Sequence, residues 1–337
     1  MTKDSSILPD IVRAMLDPGF YPEVPESVEL LQTQMSFVFL AGEFVYKIKK
    51  AVNLGYLDYT TLEKRRYLCQ HEVELNRRLC PDIYLAVIPI IQDGNVTKLG
   101  GTGNAIEYAV KMRCLPQDRM MNVLLLRNAV SKEMIQKVSQ KLADFHRRAE
   151  TSDEISVFGS IDSIKTNVDE NFNQTEKSVG RTISPAAYRR IKAYALSFMK
   201  NNTALFQQRI TGGRIRDCHG DLHAAHICFT DRLCIYDCIE FNDRFRYCDV
   251  ASEIAFLAMD LDYYGRSDLS RVFTEFYVKY TGDDGLSPLL AFYKCYRAYV
   301  RGKVESFKLD DPYITEEEKA RVINVAGRYF ELAESYI

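Results

Sequence analysis

Cys218-His219-Gly220-Asp221-Leu222-His223-Ala224-Ala225-His226-Ile227-Cys228-Phe229, followed by Leu233-Cys234-Ile235-Tyr236-Asp237, is the stretch on which the reading of this chain turns. Polar and ionisable groups crowd one short segment, and apolar, strand-forming residues flank it. Residues 227–229 and 233–236 predict two short strands, with Thr230-Asp231-Arg232 as the turn between them. A hairpin of this kind presents Asp221 with His226 at one end and Asp237 at the other, on one edge of a pocket. Two carboxylates and a third donor can hold a divalent cation and a reacting hydroxyl together.

Of the 337 residues 47% are hydrophobic, enough for a sizeable core in one large two-lobed domain or two modest ones. Net charge is −2, from 44 Lys and Arg against 46 Asp and Glu, so no overall basic field recruits nucleic acid. Residues 1–10 lack a basic start and an apolar stretch, and no apolar run approaches bilayer length. The expectation is a cytoplasmic protein with neither membrane nor nucleic acid as partner. Nine cysteines without regular spacing read as reduced thiols. Cys218, Cys228 and Cys234 among them read as small hydrophobes in strand-like surroundings.

Toward the N-terminus, Ile7, Leu8, Ile11, Val12, Met15 and Leu16 predict a helix over residues 4–16, ended by Asp17-Pro18-Gly19. Residues 36–40 and 44–49 are β-branched and aromatic runs joined by Ala41-Gly42-Glu43, a hairpin. On its second strand Lys47 and Lys49 share one face. The plainer reading is a solvated strand face; the chemical one is a compact ammonium suited to nucleotide phosphates. Thr61 opens a helix that carries His71-Glu72-Val73-Glu74 and runs to Leu79, where Cys80-Pro81 stops it. Residues 83–91 and 105–112 read as strands, with turns at 93–95 and 100–103. Strand patterning ends near residues 111–116. A first domain of residues 1–113, a small sheet with one main helix, is therefore expected to give way to a mostly helical domain of residues 114–337.

In that second domain Ser131 caps a helix bearing Ile135, Val138, Leu142, Phe145 and His146, the last read as a core histidine. Further helices are predicted at 161–180, 185–209, from near Ala251, and at 267–280, 287–307 and 315–335. On or just beyond helix 287–307, Lys294, Arg297, Arg301 and Lys308 lie about a turn apart among Tyr293, Tyr296 and Tyr299. They form either an ordinary charged face or a wall that receives an anionic or hydroxylated ligand.

His219-Gly220-Asp221-x-His223, followed by the hairpin and Asp237, resembles the aminoglycoside phosphotransferase-like kinases, small-molecule relatives of protein kinases. The likeness runs from about Gln32 to Leu309. Through Val45-Tyr46-Lys47-Ile48-Lys49-Lys50, Asp237-Cys238-Ile239-Glu240-Phe241-Asn242 and Asp249-Val250-Ala251-Ser252 it points to an uncharacterised bacterial subgroup. It implies an α+β, two-lobed protein-kinase-like fold. A small N-terminal antiparallel sheet plus helix forms one lobe, and a larger, mostly helical C-terminal lobe carries the catalytic hairpin.

The resemblance also implies roles. Asp221 is the catalytic-loop base and Asp237 the metal-binding aspartate. Lys47, with Lys49 as its competitor, meets the nucleotide and is held by Glu72 or, alternatively, Glu74. Met112 and Arg113 belong to the hinge whose backbone reads adenine. His219 and Asp249 support the catalytic loop; Glu240 and, from the charged face of helix 287–307 and not from the resemblance, Arg297 and Arg301 are the candidates to face the acceptor. The implied cofactors are ATP and Mg2+. The family's metal-ligating Asn is His226 here, an imidazole that suits Mn2+ or Zn2+ better than Mg2+, so Mn2+ stands as the alternative. No glycine-rich G-x-G-x-x-G precedes Lys47, where Gln32-Thr33-Gln34-Met35 makes the turn; this argues against an ordinary protein kinase.

The activity this implies is ATP-dependent phosphorylation of a hydroxyl on a small molecule whose identity the sequence leaves open. Two other classes stay open. One is a nucleotide-binding module whose catalysis His226 has weakened. The other is a zinc protein built on His219, His223 and His226 beside Cys218 and Cys228, although their spacing is not a recurrent zinc pattern.

Overall fold

The computed structural model describes residues 8–94, 96–311 and 314–337; residues 4–7 of the predicted first helix and Asn95 of a predicted turn lie outside them. What is described of that first helix is the short element Asp10–Ala14. The chain divides into two units, Met1–Arg119 with Cys228–Asn242, and Met120–Ile227 with Asp243–Ile337.

In the first unit, period-two alternation builds a six-stranded antiparallel sheet. Its strands are β1 (Val28–Gln32), β2 (Ser36–Ala41), β3 (Phe44–Lys49), β4 (Tyr84–Asp93), β5 (Val96–Leu99) and β6 (Asn104–Arg113), in the order β1-β2-β3-β6-β4-β5. β2 and β3 are the predicted hairpin. Gly42, at φ +65°, supplies the left-handed residue that lets Ala41 face Phe44 across a two-residue turn.

Along β3, Tyr46 and Ile48 enter a core with Val12, Met15, Tyr21 and Phe39. Lys47 and Lys49 therefore take the other face, toward the helix Leu62–Arg77. That helix is capped by Thr61, whose hydroxyl accepts from the Lys64 N–H at 3.2 Å. Its Cys69 and Val73 pack on Tyr84 and Val110. β1 and β5, at the two ends of the sheet order, escaped the sequence reading. β1 leaves three of its five residues exposed and β5 spans only four, so neither carries an alternation long enough to read.

The predicted hairpin downstream is Ile227–Phe229 with Leu233–Ile235, and its second strand leads to Asp237. Cys80, just past the helix Leu62–Arg77, and Cys234 form a disulfide with Cα atoms 4.9 Å apart. This corrects the expectation of nine reduced thiols; a separation of 154 residues leaves no local spacing to betray the pair. The other seven cysteines are not disulfide-bonded.

The second unit is mostly helical. Its longer helices are Lys132–Arg148, Ile161–Thr175, Pro185–Asn201, Thr203–Thr211, Val250–Tyr263, Ser267–Thr281, Leu290–Ser306 and Glu316–Glu334. The single helix predicted over 185–209 is two, parted at Asn202. Val250–Tyr263 is buried all round from Val250 to Leu261 and packs against Ser267–Thr281 and Leu290–Ser306. A short antiparallel ribbon, Ile215–Asp217 with Tyr247–Asp249, brings residue 217 and residue 247 together. The stretch 218–227 starts from that ribbon. Among the described residues no helix is long and apolar enough to cross a membrane.

Candidate active site

In the first unit the structure brings Lys47, Glu72 and Asp237 together. Lys47 Nζ donates to Glu72 Oε1 at 2.9 Å and to Asp237 Oδ1 at 3.2 Å. Glu72 is fully buried, and its second oxygen takes Lys49 Nζ at 2.7 Å. Lys49 also pairs with Glu240, which accepts from the Tyr59 hydroxyl at 2.6 Å. One carboxylate is thus shared by two ammonium groups. Burial opposes the charge of each lysine, but Asp237 and Glu72 around Lys47, and Glu240 and Glu72 around Lys49, hold both well above the usual lysine range.

Glu240, expected to face the acceptor, is therefore turned inward instead. It is 6% exposed, and it neutralises a lysine that could not be buried alone. Glu74, the alternative to Glu72, points to solvent.

Asp237 is held from its backbone. Its N–H donates to the Tyr84 hydroxyl at 3.2 Å, and the Cys238 N–H donates to Asn76 Oδ1 at 2.9 Å. Asn76 in turn donates to the Glu72 carbonyl at 2.8 Å. These bonds fix Asp237 at φ +62°, a left-handed conformation that Asp tolerates better than most residues. Its side chain stays 43% exposed. Met112 and Arg113 end β6; the Arg113 N–H donates to Ile83 O at 3.0 Å and the Cys114 N–H to Glu43 O at 2.8 Å.

In the second unit the loop that carries Asp221 hangs from a buried carboxylate. The N–H groups of His219 and Gly220 both donate to Glu253 Oε1 at 2.7 Å. Glu253 Oε2 meets His146 Nε2 at 2.7 Å, and His146 Nδ1 meets the Tyr277 hydroxyl at 2.8 Å. Burial alone would raise the Glu253 carboxyl, but the His146 bond and charge, with His219 and the Gly220 N–H, bring it down to about 2.

Asp249, expected to brace this loop, does not. It accepts from Arg209 at 2.8 and 2.9 Å and from the Ala251 N–H at 2.8 Å, capping Val250–Tyr263. Glu253, one turn further into that helix, is the residue that reaches the loop. Its signal in the sequence is an acid within an otherwise apolar helical stretch, which burial permits only when something satisfies it.

Arg297 also differs from expectation. Its NH1 donates to the Gly220 carbonyl and its Nε to Ser252 Oγ, at 3.3 and 3.2 Å, so it steadies the loop instead of facing an acceptor.

Around Asp221 stand three histidines. His219 is fully buried, and its Nδ1 accepts from the Asp221 N–H at 3.3 Å. His226 Nδ1 lies 2.9 Å from the Asp221 carbonyl. A carbonyl only accepts, so Nδ1 is a protonated nitrogen of this ring. His223 Nε2 and His226 Nδ1 each lie 3.6 Å from Asp221 Oδ2. Burial opposes ionisation of Asp221, yet His223, His226 and Arg301 keep its carboxyl well below the usual range. His223 itself is pushed down by burial and by His226.

The zinc set foreseen from the sequence does not gather. Among the described residues, the groups whose ligand atoms lie within 4.8 Å of one another are Asp221 with His223 and His226, and His146 with Cys218 and Glu253.

A sheet-and-helix unit with a Lys–Glu–Asp cluster, and a helical unit with a suspended aspartate loop, define a class. The chain has the protein-kinase-like α+β fold of the aminoglycoside phosphotransferases and the choline and ethanolamine kinases. It is similar to an ethanolamine kinase of Plasmodium vivax at 10% identity and a TM-score of 0.54, over 97% of this chain and 89% of that one. It is similar to the GDP complex of aminoglycoside 2'-phosphotransferase-IIIa at 15% identity and a TM-score of 0.52, over 96% and 99%. A choline/ethanolamine kinase family protein of Mesorhizobium loti matches at 13% identity and a TM-score of 0.50, over 96% and 99%. No protein-family model matches the chain. In sequence it is 32% identical over 279 residues to uncharacterised proteins of Mycobacterium tuberculosis and Mycobacterium bovis. The match takes in 82% of this chain and 54% of theirs, so the chain spans about half the length of these curated relatives.

Proposed function

We propose that the chain is an ATP-dependent phosphotransferase that phosphorylates a hydroxyl group of a small molecule. The observation that carries this reading is Lys47 held between Glu72 and Asp237, at 2.9 and 3.2 Å. A lysine fixed in this way offers a point charge to the nucleotide phosphates. Asp237, partly exposed, is the hard oxygen donor suited to the Mg2+ or Mn2+ that accompanies a nucleotide. Such a cation, when bound, neutralises charge on the β- and γ-phosphates. Adenine recognition falls to the hinge beyond Met112 and Arg113: these two are paired within the sheet, with the Arg113 N–H held by Ile83 O and the Cys114 N–H by Glu43 O, so the backbone that remains for it is at residues 115–116.

Asp221 accepts a hydrogen bond from the acceptor hydroxyl and aims its oxygen at the γ-phosphorus. The new O–P bond forms, the bond from that phosphorus to the β–γ bridging oxygen breaks, and ADP leaves. The hydroxyl proton passes to Asp221 or to the transferred phosphate. A carboxyl held low by its neighbours stays ionised and is a weak base. Orientation is accordingly its main contribution, and the proton moves late.

The test is a screen of hydroxylated metabolites for acceptor-dependent ADP release, with Mg2+ and with Mn2+. Asp221→Asn is expected to lower turnover by about two to four orders of magnitude. Nucleotide binding should persist in the variant. Equal turnover by the variant would remove Asp221 from its role, and nucleotide binding without turnover for any acceptor or metal would favour a binding module. A second reading follows from the gathered donors of Asp221, His223 and His226. Stoichiometric, tightly held zinc in protein purified without added zinc would favour it.

A further inference from the structure

Two arginines on the helix Leu290–Ser306 sit four residues apart and in different circumstances. Arg297 is occupied by the loop, through Gly220 and Ser252. Arg301, one turn on and about 6 Å along the axis, joins no ion pair within 4 Å among the described residues, and its Nε is buried without a hydrogen-bond partner. Aromatic rings position it instead. Its guanidinium carbon lies 5.6 Å from the centre of the Tyr329 ring, and Tyr329 stacks on Tyr263 at 4.0 Å and 10°. Arg328 closes the stack 4.5 Å over Tyr263, with its NH2 donating to the Tyr263 carbonyl at 3.3 Å. The Tyr329 hydroxyl also engages the guanidinium, so ring and hydroxyl together orient the planar group and Nε is the donor left without an acceptor.

The charge of Arg301 acts on both Asp221 and Asp260. Asp260 already accepts the Ala224 N–H at 2.8 Å, and Asp221 is flanked by His223 and His226. A buried guanidinium donor without an acceptor is costly, and a bound oxyanion relieves that cost in the two-pronged geometry an arginine favours.

We propose that Arg301 binds an anionic group, carboxylate or phosphate, on the same molecule whose hydroxyl Asp221 orients, so that the acceptor is a hydroxylated anion. This rests on the phosphotransferase reading of Asp221. Arg301 is then the residue that sets substrate class, and Arg297 is not.

The test has two parts. In the first, acceptor-dependent ADP release is compared across hydroxy acids, hydroxylated phosphate monoesters, their neutral amides or methyl esters, and amino alcohols. The expected result is turnover in an anionic arm, with kcat/KM at least about tenfold above the neutral analogue, as a charge-assisted contact gives. Arg301→Met abolishes that preference through KM, and Arg301→Lys restores part of it. The carboxylate and phosphate arms identify which anion is used. A best acceptor that is neutral or cationic, or a preference that Arg301→Met leaves within about twofold, overturns the proposal.

The second part needs no turnover. Inorganic phosphate binding is followed by 31P line broadening on protein carrying Lys47→Met, which removes the nucleotide-site lysine. Adding Arg301→Met is expected to weaken phosphate at least about tenfold; unchanged binding overturns the proposal even where no acceptor is found. Absence of nucleotide binding and of ADP release in every arm would sink the phosphotransferase reading alone, and the phosphate measurement would still decide the case of Arg301.

Discussion

Glu253 carries charge for three partners at once, the N–H groups of His219 and Gly220 and the ring of His146. Its folded-state value of about 2 lies below its ordinary 4.5, so it contributes stability above about pH 4.5 and loses it as the pH falls toward 2. Glu253→Gln should lower the unfolding free energy near neutral pH by about 3 kcal/mol. It should also flatten the dependence on acid: urea unfolding at about pH 6 and about pH 3 should differ less in the variant than in the parent. Equal differences would mean that other carboxylates govern the acid limb.

His226 is testable by restoring an amide oxygen at its position. If its imidazole ligates the cation, Mn2+ supports faster ADP release than Mg2+ in the parent, and His226→Asn shifts the ratio toward Mg2+ by about tenfold or more. An unchanged ratio would leave His226 with only the role seen in its bond to the Asp221 carbonyl.

At the scale of elements, the disulfide ties the chain just past the helix Leu62–Arg77 to the strand Leu233–Ile235 that delivers Asp237. Reduction, or Cys234→Ser, is expected to lower stability by about 2–4 kcal/mol. Thiol titration of the unfolded chain should find seven reactive groups before reduction and nine after it. Nine before reduction would refute the bond.

This pairing also marks where reading the sequence stopped. β2, β3, β4 and β6 and the helices opened by Thr61 and Ser131 were legible, because alternation and caps are local signals. The group of Lys47, Glu72 and Asp237 followed from a resemblance that fixes all three at once. Glu240, Arg297 and Asp249 were misplaced for one reason: charge type announces that a side chain needs a partner but not which one. Lys49, Gly220 and Arg209 proved to be those partners, and only tertiary packing selects them. The helix predicted over 185–209 failed at Asn202, whose backbone at φ −120° and ψ 24° leaves the helical region without a Gly or Pro to announce it.

For the molecule as a whole, the division at Arg119 is incomplete without Cys228–Asn242, which belongs with the first unit. The N-terminal unit is therefore not one continuous segment of chain. A fragment ending at Arg119 would lack Glu240, the counter-charge of Lys49, together with Asp237 and the partner of Cys80. Such a truncation should yield an unfolded or aggregating polypeptide, read by circular dichroism and size-exclusion. Joining residues 228–242 to it through a flexible Gly/Ser linker should recover a cooperative unfolding transition. Anyone wishing to test the proposed nucleotide capture in isolation must therefore excise two pieces and splice them, because the gene does not offer that unit as a single cassette.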